Sequence, residues 1–242
     1  MSGATEQGAT LYAHDGGIIT GVEGNGNLTL NLVEGTGEVR MLRATGTGSR
    51  IDLTAGQTIL DLLNTVQTPN PSHQRGGLAD SGGEITLNNA TINLGPGPGP
   101  GSPNRGLDCD EPGSTLTATD TIITGQGGGN IGVFAFHGGN ASIGGTKSII
   151  SMTGDGGYGI ASQTSLRDHE VTTLKATNTT ISVTGNSNDI VAAYFSGATT
   201  TITNCTIMGL GTGNNPLIAF FGGEVDVNKF TRSLDGQPCG PC

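Results

Sequence analysis

A short alternating run ending in isoleucine returns along this chain, and a repeat of that length limits what the chain can fold into. ITLNNATI (85–92), LTATDTII (116–123), IGGTKSII (143–150), TLKATNTTISVTG (173–185) and TITNCTI (201–207) align on Ile92, Ile123, Ile150, Ile181 and Ile207. Successive anchors lie 31, 27, 31 and 26 residues apart, with IDLTAGQTI (51–59) as an earlier copy and VDVNKFT (225–231) as a degenerate later one. A second motif, Ala-x-x-Gly-Gly, occurs at 13–17, 79–83, 135–139 and 219–223, with a looser AYFSG at 193–197. The order in each unit is constant: an apolar run, Ala-x-x-Gly-Gly, an alternating Ile/Thr/Asn strand, then a turn such as GQGGGN or GNSND. A unit this short, with strand alternation and no helical period, cannot bury its own inner face; stacking it on its copies does. The expected fold is an all-β, right-handed, single-stranded parallel β-helix of about seven to nine coils, with the Ile anchors as inward rungs and Thr facing solvent. The Asn or Asp three residues before an anchor (Asn89, Asp120, Asn178) is expected at a bend, where its side chain can bond nearby backbone and left-handed dihedrals are tolerated. The sequons at Asn27, Asn89, Asn140, Asn178 and Asn204 read as by-products of an Asn/Thr-rich repeat rather than as glycosylation sites.

Composition fits this architecture. With 4% aromatic residues, no Trp and 44 Gly, a core of large side chains is hard to assemble. The 12% charged content is low, and β-branched residues recur in short runs, which argues against disorder. The formal net charge is -10, and the ten Lys and Arg read as scattered along the sequence, which argues against phosphate-driven nucleic-acid binding. No apolar run approaches the roughly 20 residues of a spanning helix. The first residues, MSGATEQGATLYAH, have neither a basic nor an apolar signal region, so the sequence is expected to be cytosolic or a processed or partial chain.

The repeat is expected to form one unit over 1–235, followed by a Cys-containing tail over 236–242. Segments 63–77, 95–113, 163–172 and 210–216 escape the rhythm and are expected to protrude as loops, the first three being the candidates for binding. CGPC (239–242) matches the Cys-Gly-Pro-Cys redox pattern, but that chemistry needs a helix starting at the first Cys; a tail disulfide or half a metal site is the simpler reading. Cys205 is expected to pack in a strand, and Cys109 to lie in a loop, paired or free. The acidic clusters Asp108, Asp110, Glu111 and Arg167, Asp168, His169, Glu170 could bind calcium or supply an acid/base pair, yet read as solvated loop charges. His14, His73 and His137 lack ligand spacing, and no nucleophile elbow or phosphate loop is present. No catalytic, cofactor or metal residue is assigned, and the chain is expected not to be an enzyme.

The unit in ADSGGEITLNNATI (79–92), GYGIASQ (157–163) and AAYFSGATTTITNCTI (192–207) resembles the passenger repeats of pertactin-like autotransporters of Gram-negative bacteria. The resemblance runs from about Leu11 to Ser233 and is clearest from Leu78 onward. It implies a secreted or cell-surface β-helix with an adhesion or virulence role, contacting a host-cell protein or glycan, and an outer-membrane β-barrel in the parent protein. Two competing readings are a carbohydrate-active lyase or hydrolase on the same fold, and ice binding through outward Thr rows such as TTTIT (199–203). The regular Thr-x-Thr pattern the latter requires is broken by IGGTKSII.

Overall fold

The computed structural model describes residues 7–21, 26–31, 38–63, 74–96, 103–165, 170–234 and 237–238. Six coils are each built from three separate strands. They are β1 (Gln7–His14), β2 (Ile18–Thr20) and β3 (Asn27–Asn31); β4 (Glu38–Thr45), β5 (Arg50–Leu53) and β6 (Gln57–Leu62); β7 (Gln74–Asp80), β8 (Glu84–Asn88) and β9 (Ala90–Leu94); β10 (Arg105–Asp110), β11 (Thr115–Thr119) and β12 (Ile122–Gly125); β13 (Ile131–Phe136), β14 (Asn140–Gly144) and β15 (Ile149–Thr153); and β16 (Tyr158–Gln163), β17 (Thr172–Thr177) and β18 (Thr180–Thr184). Two further coils fuse the second and third strands: β19 (Asp189–Tyr194) precedes β20 (Ala198–Leu210), and β21 (Asn215–Phe220) precedes β22 (Glu224–Leu234). A last strand, β23 (Gln237–Pro238), pairs antiparallel with β22. The regular coils thus number six rather than the seven to nine expected, because the final repeats lose the separation between their second and third strands. The fold is a parallel β-solenoid with three faces. Its first face is an eight-stranded sheet, and the long β20 joins the other two columns into one fifteen-stranded sheet.

The isoleucine anchors stack as the sequence spacing requires. Ile92 pairs with Ile123, Ile123 with Ile150, Ile150 with Ile181, and Ile181 with Ile207. All five are fully buried. Leu30 and Leu60 continue this ladder in the first coils, and Arg232 takes the rung after Ile207. Hence Leu60, not Ile59, is the inward residue of the early copy, and Arg232, not Thr231, aligns with the anchors. The bend after β5 and the one after β14 each carry two extra residues: Leu53 to Leu60 and Ile143 to Ile150 are seven steps, against five from Leu87 to Ile92. Ile143 therefore stacks beside Ala118 rather than Leu116.

The Ala-x-x-Gly-Gly motif has a similar cause. Ala13, Ala44, Ala79, Cys109, Ala135, Ser162, Ala193 and Ala219 form one continuous ladder of small residues at the end of the first face. The chain then turns through two left-handed residues, as at Ser81 (φ 53°) and Gly82 (φ 86°), closed by Gly83 N–H donating to Asp80 O at 2.9 Å. That is the geometry of a type I′ turn. A Cβ on Gly83 would collide with the carbonyl of Ala44, so the second Gly lets the coils stack closely. At the next corner Asn89, Asp120, Asn178 and Asn204 all have φ between 48° and 55°, fulfilling the bend role. Asn204 Nδ2 donates to Asn178 Oδ1 at 2.7 Å, tying neighbouring corners together.

The windows expected to protrude contain residues of the stack itself. Residues 74–77 belong to β7, 105–110 to β10, Gln163 to β16 and Thr172 to β17. Of those windows, 64–73, 97–102 and 166–169 lie outside the described residues, with His73, Arg167, Asp168 and His169 among them, and the CGPC tail at 239–242 lies outside them too. The segment 210–216 is no excursion. Gly211 to Asn214 form an ordinary turn stacked on the preceding coil, with Asn188 N–H and Nδ2 both donating to Asn214 Oδ1 at 3.0 and 3.1 Å. Cys109 sits on β10, buried and free, and Cys205 on β20, also buried and free. Burial raises the Cys109 thiol to about 12 and the Cys205 thiol above its usual value.

Candidate functional site: the outer surface of the first sheet

The middle strands of the first sheet are largely buried on both sides, while its end strands are exposed. The middle strands read as near-continuous buried runs, such as β13 and β19, rather than alternating ones. Three columns of side chains point away from the core. The first holds Arg40, Arg75, Arg105, Ile131, Tyr158, Asp189 and Asn215; the second, Arg43, Leu78, Asp108, Phe134, Ala161, Ala192 and Ile218. The third holds Thr45, Asp80, Asp110, Phe136, Gln163, Tyr194 and Phe220.

The lower half of this surface is a charged network. Glu38 Oε2 lies 2.6 Å from Arg40 Nη2, and its other oxygen contacts Arg75. Asp108, fully buried, accepts from Arg105 Nη1 at 2.7 Å and lies 2.7 Å from Arg75 Nε, the latter without hydrogen-bond alignment. Arg43 reaches Asp80 with Nε at 3.0 Å and Nη2 at 2.9 Å. Burial lowers the Arg40 guanidinium from its usual value; Glu38 opposes that shift, and Arg75 and Arg43 add to it. Four of the ten Lys and Arg, which look scattered in sequence, are gathered here: Arg40, Arg43, Arg75 and Arg105 share one patch, because successive coils of 35 and 30 residues bring Arg40, Arg75 and Arg105 into register. They are matched by carboxylates, so the patch is an ion-pair array rather than an open cationic surface.

Asp110 lies at the edge of that array, 3.3 Å from His137 Nδ1. Burial and the neighbouring Asp108 raise its carboxyl above the usual range, with His137 pulling it back. Glu111 accepts from Ser81 Oγ at 2.6 Å and is exposed. The acidic cluster predicted on a loop is therefore split: Asp108 is locked among arginines, Asp110 is half-covered on the strand, and Glu111 occupies a left-handed turn position. Of the other cluster only Glu170 is described, its backbone O accepting from Thr164 Oγ1 at 2.8 Å. His14 pairs with Asp15 in the first coil, far along the stack from His137. Among the described residues no group of three or more His, Cys, Asp or Glu is placed to hold a metal ion.

The upper half is aromatic. Arg105 caps the Phe134 ring at 4.5 Å, and Phe134 stacks on Phe136 at 5.3 Å. Tyr158 and Tyr194 meet edge to face at 6.1 Å. Tyr194 Oη donates to Asp189 Oδ2 at 2.5 Å, and burial together with that bond pushes its hydroxyl well above the usual phenol range. At the corner Phe195 stacks on Phe221 at 5.3 Å, with Phe221 mostly exposed. Composition hides this concentration: few aromatic residues are present, but most share one face.

Elsewhere the surface is plain. An open cleft of about 290 Å³ at the asparagine corner is lined only by Thr146, Asn178, Thr179, Thr180, Asn204 and Thr206. The outward Thr rows of the second face are interrupted by Ser142 and Lys175. Among the described residues no helix is long and apolar enough to cross a membrane. Neither a family model, nor a curated protein, nor a solved structure matches the chain.

Proposed function

We propose that the chain is a passenger-like, adhesin-like scaffold of a Gram-negative bacterium, displayed at the cell surface or released, that recognises a host-cell protein or glycan. The parent protein would then carry an outer-membrane β-barrel. One observation carries the reading: charged and aromatic side chains gather on the outer surface of the first sheet. In sequence, 64–73 and 97–102 come just before β7 and β10, and 166–169 just after β16. The charged and aromatic columns lie on the outer surface of that sheet, while the other two faces present mainly short polar side chains. Rungs and turns are occupied in holding the stack together; recognition falls to what the repeat leaves free.

The competing enzyme reading needs two reachable carboxylates with opposed roles. Asp108 is committed to Arg75 and Arg105, which supports binding over catalysis. The experiment is adhesion of displayed protein to host cells after replacing 64–73, 97–102 and 166–169 by short turns, singly and together. Lost adhesion with an intact β-sheet spectrum supports the reading, and unchanged adhesion in the triple variant contradicts it. Release of uronate or reducing ends from polysaccharides would establish the enzyme instead.

A further inference from the structure

The upper half of the first sheet is built as a platform, not only as a covered apolar patch. Tyr158 projects from the first column of one coil and Tyr194 from the third column of the next, and they converge over the middle column, where Ala161 and Ala192 are buried. Alanine at these two positions leaves room for the two rings to pack over the sheet, whereas Phe134 in the same column one coil below is buried and capped by Arg105. Tyr194 is held in place by its bond to Asp189, and Asp189 Oδ1 in turn accepts from Asn215 Nδ2 at 2.8 Å. Gln163, partly exposed, stands beside Tyr194 in the third column.

We infer that Tyr158 and Tyr194, with Asp189, Asn215 and Gln163 at their edges, form a binding subsite for a neutral glycan. This rests on the reading of the first sheet as the recognition surface and names the ligand class for it. A pyranose presents an apolar C–H face and a rim of hydroxyls. Packed edge to face, the tyrosines supply a rigid apolar surface of low conformational cost, and the fixed carboxylate and amides supply directional partners at the rim, the charged acceptor giving the stronger bond. The alanine floor leaves no deep hole for the aromatic or arginine anchor that a protein hot spot would insert. Charge selects against acidic sugars: Asp189 stands at the platform, the arginines two to four coils below Tyr158 are already paired, and the protein carries a formal charge of -10.

The test is an array of neutral glycans, with hyaluronan and heparin oligosaccharides as the acidic arm, probed with the full chain and then followed by titration of the best binder. The expected result is binding to a neutral saccharide and none to the acidic arm at physiological salt. Tyr194→Ala should weaken it by roughly tenfold, the order of one aromatic contact. Tyr194→Phe, which keeps the ring and frees Asp189, should weaken it less. Unchanged melting of both variants separates loss of binding from loss of fold. Adhesion to host cells that survives periodate oxidation of their glycans, with a blank neutral array, would overturn the glycan assignment while leaving the recognition surface standing. Absence of both adhesion and array binding would remove both. Salt-sensitive binding to heparin alone would also overturn it, placing recognition on the arginine patch.

Discussion

Gly106 lies directly against Ile123 across the interior of the solenoid: a Cβ at Gly106 would stand 2.6 Å from Ile123 Cγ2 and 2.6 Å from the carbonyl O of Gly132. The same relation recurs between Gly76 and Ile92, Gly132 and Ile150, and Gly159 and Ile181, so these four anchors are each seated on a bare backbone in the facing sheet. Gly106→Ala should therefore cost about 1–3 kcal/mol by overpacking, read as a lowered urea midpoint. Ile123→Ala should cost less in that background than in the parent, since it removes one of the two collisions.

The converse change empties the seat. Ile181 is fully buried between Ile150 and Ile207. Ile181→Ala is expected to cost about 2–5 kcal/mol, and Ile181→Asp more, by burying a charge without a partner. An unchanged midpoint for Ile181→Asp would mean that the residue does not face the core.

At the asparagine corner, backbone conformation decides. Asn178 has φ 52°, so Asn178→Val should cost ~1–2 kcal/mol, the penalty of a left-handed conformation for a residue with a branched Cβ. Asn178→Gly, which tolerates that conformation but loses the bond from Asn204, should stay within about 1 kcal/mol of the parent. Thermal melting of the two variants distinguishes these outcomes.

Asp110 supplies a pH dependence of defined sign. Its carboxyl is raised in the folded state, mainly by burial, so between the ordinary carboxylate value and the raised folded value the native state binds more protons than the unfolded chain. Stability from this group is fully present below the unfolded value and falls as pH rises through the folded one. Relative to the parent, Asp110→Asn should gain stability at neutral pH and lose that advantage in acid, as followed by the urea midpoint across pH.

Thiol reactivity follows from burial. In a Cys239→Ser, Cys242→Ser background, native protein should resist aromatic disulfide reagents at neutral pH, because the buried Cys109 and Cys205 thiols are both shifted upward. Two thiols should become reactive on unfolding. Rapid labelling of the native state would show that β10 or β20 opens.

The inner ladder was legible because the second and third faces alternate buried and solvated residues, so Ile92, Ile123, Ile150, Ile181 and Ile207 stand out against Thr and Asn. Register slips at Ile59 and Ile143 came from bends two residues longer, which the alternation itself does not reveal. The first face was harder to read. Arg105 to Asp110 looked like a continuation of a Gly/Pro-rich loop, because a strand buried on both sides shows no alternation and only the small-residue ladder through Cys109 marks it. A signal for the inner glycines did exist: Gly76, Gly106, Gly132 and Gly159 each lie three residues before Ala79, Cys109, Ala135 and Ser162. The convergence of Arg40, Arg75 and Arg105, or of Tyr158 and Tyr194, depends on coil lengths that differ from turn to turn, so composition and spacing left these groups scattered.

The central claim is that the first sheet's outer surface is where recognition occurs, and steric blocking of one face at a time tests it most directly. A single cysteine introduced at Gln163 on the first face, Thr117 on the second or Ser151 on the third, with the tail thiols replaced by Ser, would be coupled to a bulky maleimide before an adhesion assay. All three side chains point outward from the stack. The account predicts adhesion lost with the label at 163 and retained with labels at 117 and 151. Adhesion that survives the label at 163 but fails with one at 117 or 151 would contradict it.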